Sequence, residues 1–128
     1  MSLGWFFPDE RDEYSETILT RLEAEPAIVS GVWPLEFANG LYKAEKRGRL
    51  TEADIIRISA TIAGLPIALH EMSLATALGP VLAWARSEGL TTYDASYLEL
   101  AISEGLALAT GDGPLRAAAE RVGVPIAQ

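Results

Sequence analysis

The sequence lacks cysteine altogether and has a single histidine, His70, among its 128 residues. The absence of cysteine excludes a disulfide scaffold, a thiolate zinc site and a cysteine nucleophile, and it is compatible with a reducing cytosol. A single histidine excludes a multi-histidine metal site. We therefore expect a cytoplasmic protein without a sulfur- or histidine-based metal centre.

Basic residues and long apolar runs are also scarce. Ten Lys and Arg stand against eighteen Asp and Glu, which gives a net charge of −8 and argues against nucleic-acid capture by a basic coat. The longest uncharged stretch, 72–85, falls short of the roughly 20 residues that a membrane span needs. With 49% hydrophobic residues, the chain can fill the core of one domain covering 1–128. We expect a soluble single-domain protein.

The apolar spacing predicts helices that alternate with short strands. Thr51 with Asp54 predicts a capped helix start, and Gly79 with Pro80 predicts a bend. Helices are predicted over 9–25, 33–47, 50–64, 72–88, 91 or 92–104 and 115–122, and strands over 27–30, 66–69 and 106–109. This alternation is typical of an α/β fold whose parallel sheet carries helices on both faces.

Three acidic residues occupy comparable places in this pattern. Glu36 follows the strand 27–30, Asp94 lies in the first turn of a helix, and Asp112 lies beyond the run 106–109. The crevice of a doubly wound sheet lies at the carboxyl ends of its strands, so the three carboxylates can converge there. Clustered carboxylates repel one another unless a cation neutralises them, and oxygen ligands suit Mg²⁺ or Mn²⁺. The pattern indicates metal-assisted phosphodiester hydrolysis.

Each acid also has a simpler explanation. Acidic residues are common in the first turn of a helix because they interact favourably with the helix dipole, which would account for Glu36 or Asp94 taken alone. Asp112 lies between two glycines and is equally compatible with a turn residue or the N-cap of the last helix. Spacing alone does not separate these explanations from a metal site.

Five segments carry a more specific pattern. They are WFFPDE at 5–10, WPLEFAN at 33–39, GRLT at 48–51, LTTYDASYLELA at 90–101 and LATGD at 108–112. In this order they resemble the PIN-domain family, and in particular the VapC-type toxin ribonucleases of bacterial toxin–antitoxin modules. The start of the fourth segment, Tyr-Asp-Ala, is its most specific part.

The resemblance implies a three-layer α/β/α fold and an endoribonuclease whose four acids surround one or two Mg²⁺ or Mn²⁺ ions. Glu36, Asp94 and Asp112 match the second, third and fourth acid. Thr110 matches a hydroxyl position beside the metal, and Asn39, one helical turn after Glu36, is placed to hydrogen-bond its carboxylate. The implied partners are an RNA substrate, a small cognate antitoxin and a second copy of the chain in a homodimer.

The family's first acid lies at the end of an opening central strand. Only residues 1–4 precede the first matched segment here, so we expect this strand to be absent or truncated and its aspartate to be missing. We then expect weak metal binding and poor RNA cleavage by the chain as given. The alternative is a non-catalytic PIN-like domain that binds protein or RNA, and a third hypothesis is a flavodoxin-like domain whose acids bind a regulatory metal.

Four basic residues form the main positive cluster of the sequence. This basic cluster consists of Lys43, Lys46, Arg47 and Arg49. It is either a solvated helix end or a contact for RNA phosphates. We expect His70 to be a surface or hydrogen-bonded residue, because no acid and nucleophile accompany it at recognisable spacing. Ser96 is expected to pack or cap, and the tryptophans to lie in the core or an interface.

Overall fold

The structure, a computed structural model, describes residues 13–127, and its helices and strands alternate. In chain order they are α1 (Glu13–Ala24), β1 (Ala27–Ser30), α2 (Trp33–Lys46), α3 (Glu52–Ala63), β2 (Ile67–His70), α4 (Leu74–Thr76), a π-helical turn (Ala77–Val81), α5 (Leu82–Glu88), α6 (Thr92–Glu104) and α7 (Gly113–Val122). Strands β1 and β2 form a small parallel sheet. The predicted α/β class is confirmed. The family's opening strand, which we expect to be absent or truncated, would lie outside the described residues, as do the predicted helical positions before Glu13.

Local sequence signals account for the ends of α2 and α3. Gly48, with φ of 75°, closes the end of α2, where left-handed backbone favours glycine. Thr51 and Asp54 form the predicted capping box at the start of α3. The Thr51 backbone N–H donates to the Asp54 carboxylate at 2.8 Å, and this bond, with the Thr51 hydroxyl and the nearby Arg57 guanidinium, lowers the pKa of Asp54.

The expected bend at Gly79 and Pro80 takes the form of a π-helical turn. Proline has no backbone N–H and its ring crowds the carbonyl of the preceding turn. A π-turn, whose hydrogen bonds reach one residue further, accommodates Pro80 between the short helix α4 and helix α5. Val81 at the end of this turn is 2% exposed and packs in the interior, whereas Leu78 of the same turn is 63% exposed.

The predicted strand 106–109 was wrong in extent. Among the described residues, only Leu108 is paired there, in a parallel bridge to Ile126, with Leu108 N donating to Pro125 O at 2.8 Å. An apolar run becomes a strand only where a neighbour supplies a ladder, and the described partner segment supplies a single bridge. The last helix also begins two positions earlier than predicted, at Gly113, because Asp112 caps it.

The described residues divide into two compact units. The first contains α1, α2 and α3, and the second contains Ile28–Gly31 and the chain from Leu69 onward. Buried apolar residues of the first unit are Ile18, Leu22, Leu41, Ala44 and Ile58. None of the helices within 13–127 is long and apolar enough to cross a membrane.

The second unit has a core that joins α6 and α7. Its buried members are Leu98, Ala101, Leu108, Leu115, Ala119 and Val124, with Trp84 and Tyr97 packed against them. Leu98 is fully buried, and truncating such a leucine to alanine costs about 2–5 kcal/mol. This core fixes the two helices at whose starts Asp94 and Asp112 lie.

Candidate functional site

Asp112 is the N-cap of α7. Its backbone is extended, with φ of −76° and ψ of 120°, and its Oδ2 accepts a hydrogen bond from Leu115 N at 2.9 Å. Pro114 follows in the first turn, where its missing N–H costs nothing. The carboxylate is exposed, and the positive end of the helix dipole stabilises its charge. The capping explanation is therefore confirmed, and the cap also holds this carboxylate in one place.

Thr110 acts on Asp112 through the backbone. Its side chain is buried, with 8% exposure, and its Oγ1 accepts a hydrogen bond from Asp112 N at 3.0 Å. Arg116 Nη1 donates to Thr110 O at 3.3 Å. Thr110, which was predicted to lie beside the metal, is thus hydrogen-bonded to the backbone of Asp112. Sequence reasoning missed Arg116, which lies one helical turn after the cap.

Asp94 lies in the first turn of α6, as predicted. Thr91 is the N-cap, and its Oγ1 accepts a hydrogen bond from Asp94 N at 3.1 Å. Asp94 is half-buried. The backbone amides of Asp94 and Asp112 therefore have the same kind of partner, a threonine hydroxyl that precedes each acid and fixes its peptide group.

Two buried serines lie next to this first turn. Ser30 at the end of β1 and Ser96 in α6 are 2% and 3% exposed, and their Oγ atoms are 2.8 Å apart. Ser96 also donates to Tyr93 O at 2.6 Å. The expectation that Ser96 packs is confirmed. Ser30 was missed, although it is the single hydroxyl in an otherwise apolar strand, a signal that the sequence does contain.

Glu36 and Asn39 belong to the first unit. Glu36 is exposed in the first turn of α2, where its N–H donates to Val32 O at 3.0 Å. Asn39 is exposed one turn later, and its side chain forms no hydrogen bond to any residue within 13–127. A role for Glu36 as a metal ligand, and for Asn39 beside it, stays a prediction.

The basic cluster lies at the exposed end of α2. Lys43 and Lys46 occupy its last turn, and Arg47 and Arg49 flank Gly48. Lys46 Nζ lies 5.3 Å from the centre of the Tyr42 ring, a cation–π contact. These side chains are accessible to a phosphate backbone and also complement the negative end of the helix dipole.

Two other candidates have structural surroundings. His70 Nδ1 lies 3.7 Å from Glu104 Oε1 on the partly exposed end of β2, as expected for a surface residue with a polar partner. Trp84 Nε1 donates to Glu99 Oε2 at 2.8 Å while its ring packs against the core. Neither contact assembles a catalytic group.

The donors near α6 and α7 fit a hard divalent ion by their chemistry. They are carboxylate and hydroxyl oxygens, which Mg²⁺ and Mn²⁺ prefer. Asp112 Oδ1 has no hydrogen-bond partner among the described residues and is available to a ligand. Across 13–127, no three His, Asp or Glu side chains form a group that could hold a metal ion. The shared three-acid site remains a prediction.

Comparisons with known proteins cover most of the chain. The family model described as PIN domain matches residues 3–121. Ribonuclease VapC3 of Pyrobaculum aerophilum is 32% identical over 110 residues, which are 86% of this chain and 82% of that protein. The crystal structure of PAE2754 from Pyrobaculum aerophilum is 33% identical, with a TM-score of 0.61 over 71% of this chain. The chain spans about 60% of the length of that structure.

Proposed function

Because the chain belongs to the PIN domain family and is of the VapC type, we propose that it is a metal-dependent endoribonuclease, the toxin component of a toxin–antitoxin module. The strongest observation in favour of this proposal is that two acidic residues, Asp94 and Asp112, are held by the same kind of hydrogen bond. Asp94 and Asp112 stand at the starts of α6 and α7, and a threonine hydroxyl accepts from the backbone N–H of each, at 3.1 and 3.0 Å. Carboxylates that are fixed in advance can hold a metal ion at one position while negative charge develops on the phosphate.

Asp94, Asp112 and Glu36 are the residues that would hold Mg²⁺ or Mn²⁺. When bound, such an ion lowers the pKa of a bound water and offsets charge on the phosphate. The protein's own contribution is positional: Thr91 and Thr110 fix the backbone of two acids, and the α6–α7 core keeps the helix starts in place. Asn39 and Thr110 are proposed as supporting residues around these ligands.

RNA would be held in part by the basic cluster of Lys43, Lys46, Arg47 and Arg49. All four side chains are exposed, and a local positive patch lets a chain of net charge −8 approach a phosphate backbone. Replacing Lys43 and Lys46 by glutamate should raise KM for RNA and leave kcat within about two-fold, because the cluster binds rather than reacts. The slope of log Kd against log salt should also become shallower.

The central test is Mg²⁺-dependent RNA cleavage by variants of each acid. Asp94→Asn, Asp112→Asn and Glu36→Gln should each lower kcat by at least about 10-fold, in the range seen when metal ligands or their supports are changed. Asp54→Asn is the matched control, because Thr51 and Asp54 repeat the Thr-x-x-Asp helix start of Thr91 and Asp94 outside the proposed site. Cleavage that survives all three substitutions would refute the nuclease proposal.

A second function, a non-catalytic PIN-like domain that binds protein or RNA, is favoured by one observation. No three potential ligands come together within the described part of the chain, 13–127. The two functions are separated by comparing this chain with a version extended by an aspartate-bearing strand, each with and without Mg²⁺. The nuclease proposal requires Asp94-dependent cleavage in the extended version, and we expect the unextended chain to cleave poorly.

The proposed partners are a small cognate antitoxin and a second copy of this chain, in the cytoplasm. Large apolar side chains are exposed in both units and offer contact surfaces, among them Leu35, Tyr42, Leu74 and Leu78. Co-expression with the antitoxin gene should suppress RNA cleavage if the module assignment is correct.

A further inference from the structure

The buried polar side chains of the described residues are three hydroxyls, and all belong to the second unit. They are Ser30, Ser96 and Thr110. Thr110 bonds to the backbone of Asp112, whereas Ser30 and Ser96 bond to each other at 2.8 Å. Burying a hydroxyl costs free energy unless it is hydrogen-bonded. Two apolar side chains would therefore fill the same space at lower cost if packing were the only requirement.

The Ser30–Ser96 pair acts on one particular peptide group. Ser96 donates its hydroxyl proton to Tyr93 O at 2.6 Å, and its Oγ also lies within hydrogen-bond distance of Ser30 Oγ, at 2.8 Å. The Tyr93 carbonyl belongs to the same planar peptide unit as the Asp94 N–H. That N–H donates to Thr91 Oγ1 at 3.1 Å. The peptide unit that precedes Asp94 is therefore held at both ends.

Packing of α6 does not require these hydroxyls. Ala95, Leu98 and Ala101 lie on the same stretch of helix and are themselves buried, with exposures of 0–5%. Replacing both partners of a buried hydrogen bond by apolar groups is often nearly neutral for stability. The pair therefore contributes mainly to the orientation of the first turn, and through it to the direction of the Asp94 side chain.

We propose that Ser30 and Ser96 are positioning residues that set the orientation of Asp94 for the reaction. This inference rests on the proposed function for its consequence in catalysis. Its structural part, control of the Tyr93–Asp94 peptide by the serine pair, does not depend on that function. Small displacements of a reacting group are costly, and changes in the partners of a metal-binding carboxylate lower affinity or rate by about 10–100-fold.

The experiment compares Ser96→Ala, Ser30→Ala and Ser30→Thr with Ser103→Ala. Ser103 is the matched control because it lies on the same helix and donates to Leu100 O, three residues earlier, in the same way as Ser96. Three properties are measured in the full chain: hydrogen exchange of the Asp94 amide, the Mn²⁺ concentration that half-broadens the Asp94 amide resonance, and kcat and KM for RNA cleavage.

Ser96→Ala and Ser30→Ala should speed Asp94 amide exchange about 10-fold and raise the half-broadening Mn²⁺ concentration about 10-fold. They should lower kcat by a similar factor with KM for RNA nearly unchanged. Ser103→Ala should match the wild type, and Ser30→Thr, which restores a hydroxyl on a strand, should recover most of the effect.

Unchanged Asp94 exchange in the folded alanine variants would overturn the proposal, whatever the activity. Loss of folding in both alanine variants would also overturn it, because the pair would then stabilise the fold rather than orient Asp94. Faster exchange with unchanged Mn²⁺ response and kcat would remove the link to the reaction. If neither this chain nor the version extended by an aspartate-bearing strand cleaves RNA or responds to Mn²⁺, the proposed function fails, and the exchange measurement alone decides whether the serines position Asp94.

Discussion

Asp112 has an observed role as the N-cap of α7 and a proposed role as a metal ligand, and a single substitution can separate the two. Its Oδ2 caps α7 through Leu115 N, and the same carboxylate is proposed to hold a metal ion. Asp112→Asn keeps a side-chain oxygen for the cap, so stability should change by only a few tenths of a kcal/mol, whereas Asp112→Ala should cost about 0.5–2 kcal/mol. Both variants should lose RNA cleavage because both lose the charge.

Urea unfolding and a cleavage assay on the same preparations measure the two roles. Thr51→Ala is the control, since it removes an N-cap hydroxyl from α3 and should lower stability without lowering cleavage. Wild-type cleavage by Asp112→Asn would mean that the carboxylate only caps the helix.

At this scale, the sequence identifies residues better than it identifies their partners. Asp94 was predicted in the first turn of a helix, and the structure places it there. Asp112 was predicted beyond the run 106–109, with a turn residue or an N-cap as its simpler explanations, and the structure makes it the N-cap of α7. Ser30 and Arg116 could not be assigned roles from spacing, because their partners Ser96 and Thr110 are brought to them by the folded backbone. A hydrogen bond between residues 66 positions apart in sequence leaves no local pattern.

At the scale of the helix, the start of α3 predicts a pH dependence. Hydrogen bonds from Thr51 and the charge of Arg57 lower the pKa of Asp54 below its ordinary value of 3.8. A lowered folded-state pKa contributes stability above the unfolded-state pKa, and this contribution is lost as the pH falls through the folded-state value. The stability difference between the wild type and Asp54→Asn should therefore be largest near neutral pH and shrink below 3.8. A difference that grows with acidification in urea titrations would contradict this.

Two glycines on neighbouring helical segments should respond oppositely to alanine. Gly79 lies in the π-turn at negative φ, and a Cβ there would meet no atom within 4 Å. Gly79→Ala should raise the free energy of unfolding by about 0.4–1 kcal/mol by restricting the unfolded chain. Gly89 ends α5 at φ of 66°, so Gly89→Ala should lower it by about 1–2 kcal/mol. Thermal or urea unfolding measures both, and equal effects of one sign would refute the conformational explanation.

Helices could be predicted closely and strands less so, for a physical reason. Capping residues and glycines mark helix ends within a few positions, as Thr51, Thr91 and Gly105 do here. The apolar run 106–109 contains the same kind of local signal as 27–30, yet the described chain pairs it only at Leu108. Strand formation depends on a partner distant in sequence, which the run itself does not specify.

For the whole molecule, charge and apolar exposure together suggest how two copies would meet. Two copies of a chain with net charge −8 repel each other. Contact through an uncharged part of the surface brings the fewest like charges together. The uncharged stretch 72–85 carries Leu74 and Leu78, four residues apart and 73% and 63% exposed. On α2, Leu35 and Tyr42 are also exposed, but Lys46 stacks on Tyr42, which suits a polar or nucleic-acid partner better.

We therefore predict that the homodimer forms through Leu74 and Leu78. Light scattering of the wild type at about 50 µM should give twice the chain mass of 13.7 kDa, because contact between two copies would remove these exposed leucines from water. Leu74→Glu combined with Leu78→Glu should give the single-chain mass, since two carboxylates would lose hydration in the contact. Leu35→Glu combined with Tyr42→Glu is the matched control and should stay dimeric. A monomeric wild type would rule out the homodimer, and dissociation by the α2 pair instead would place the contact on the other surface.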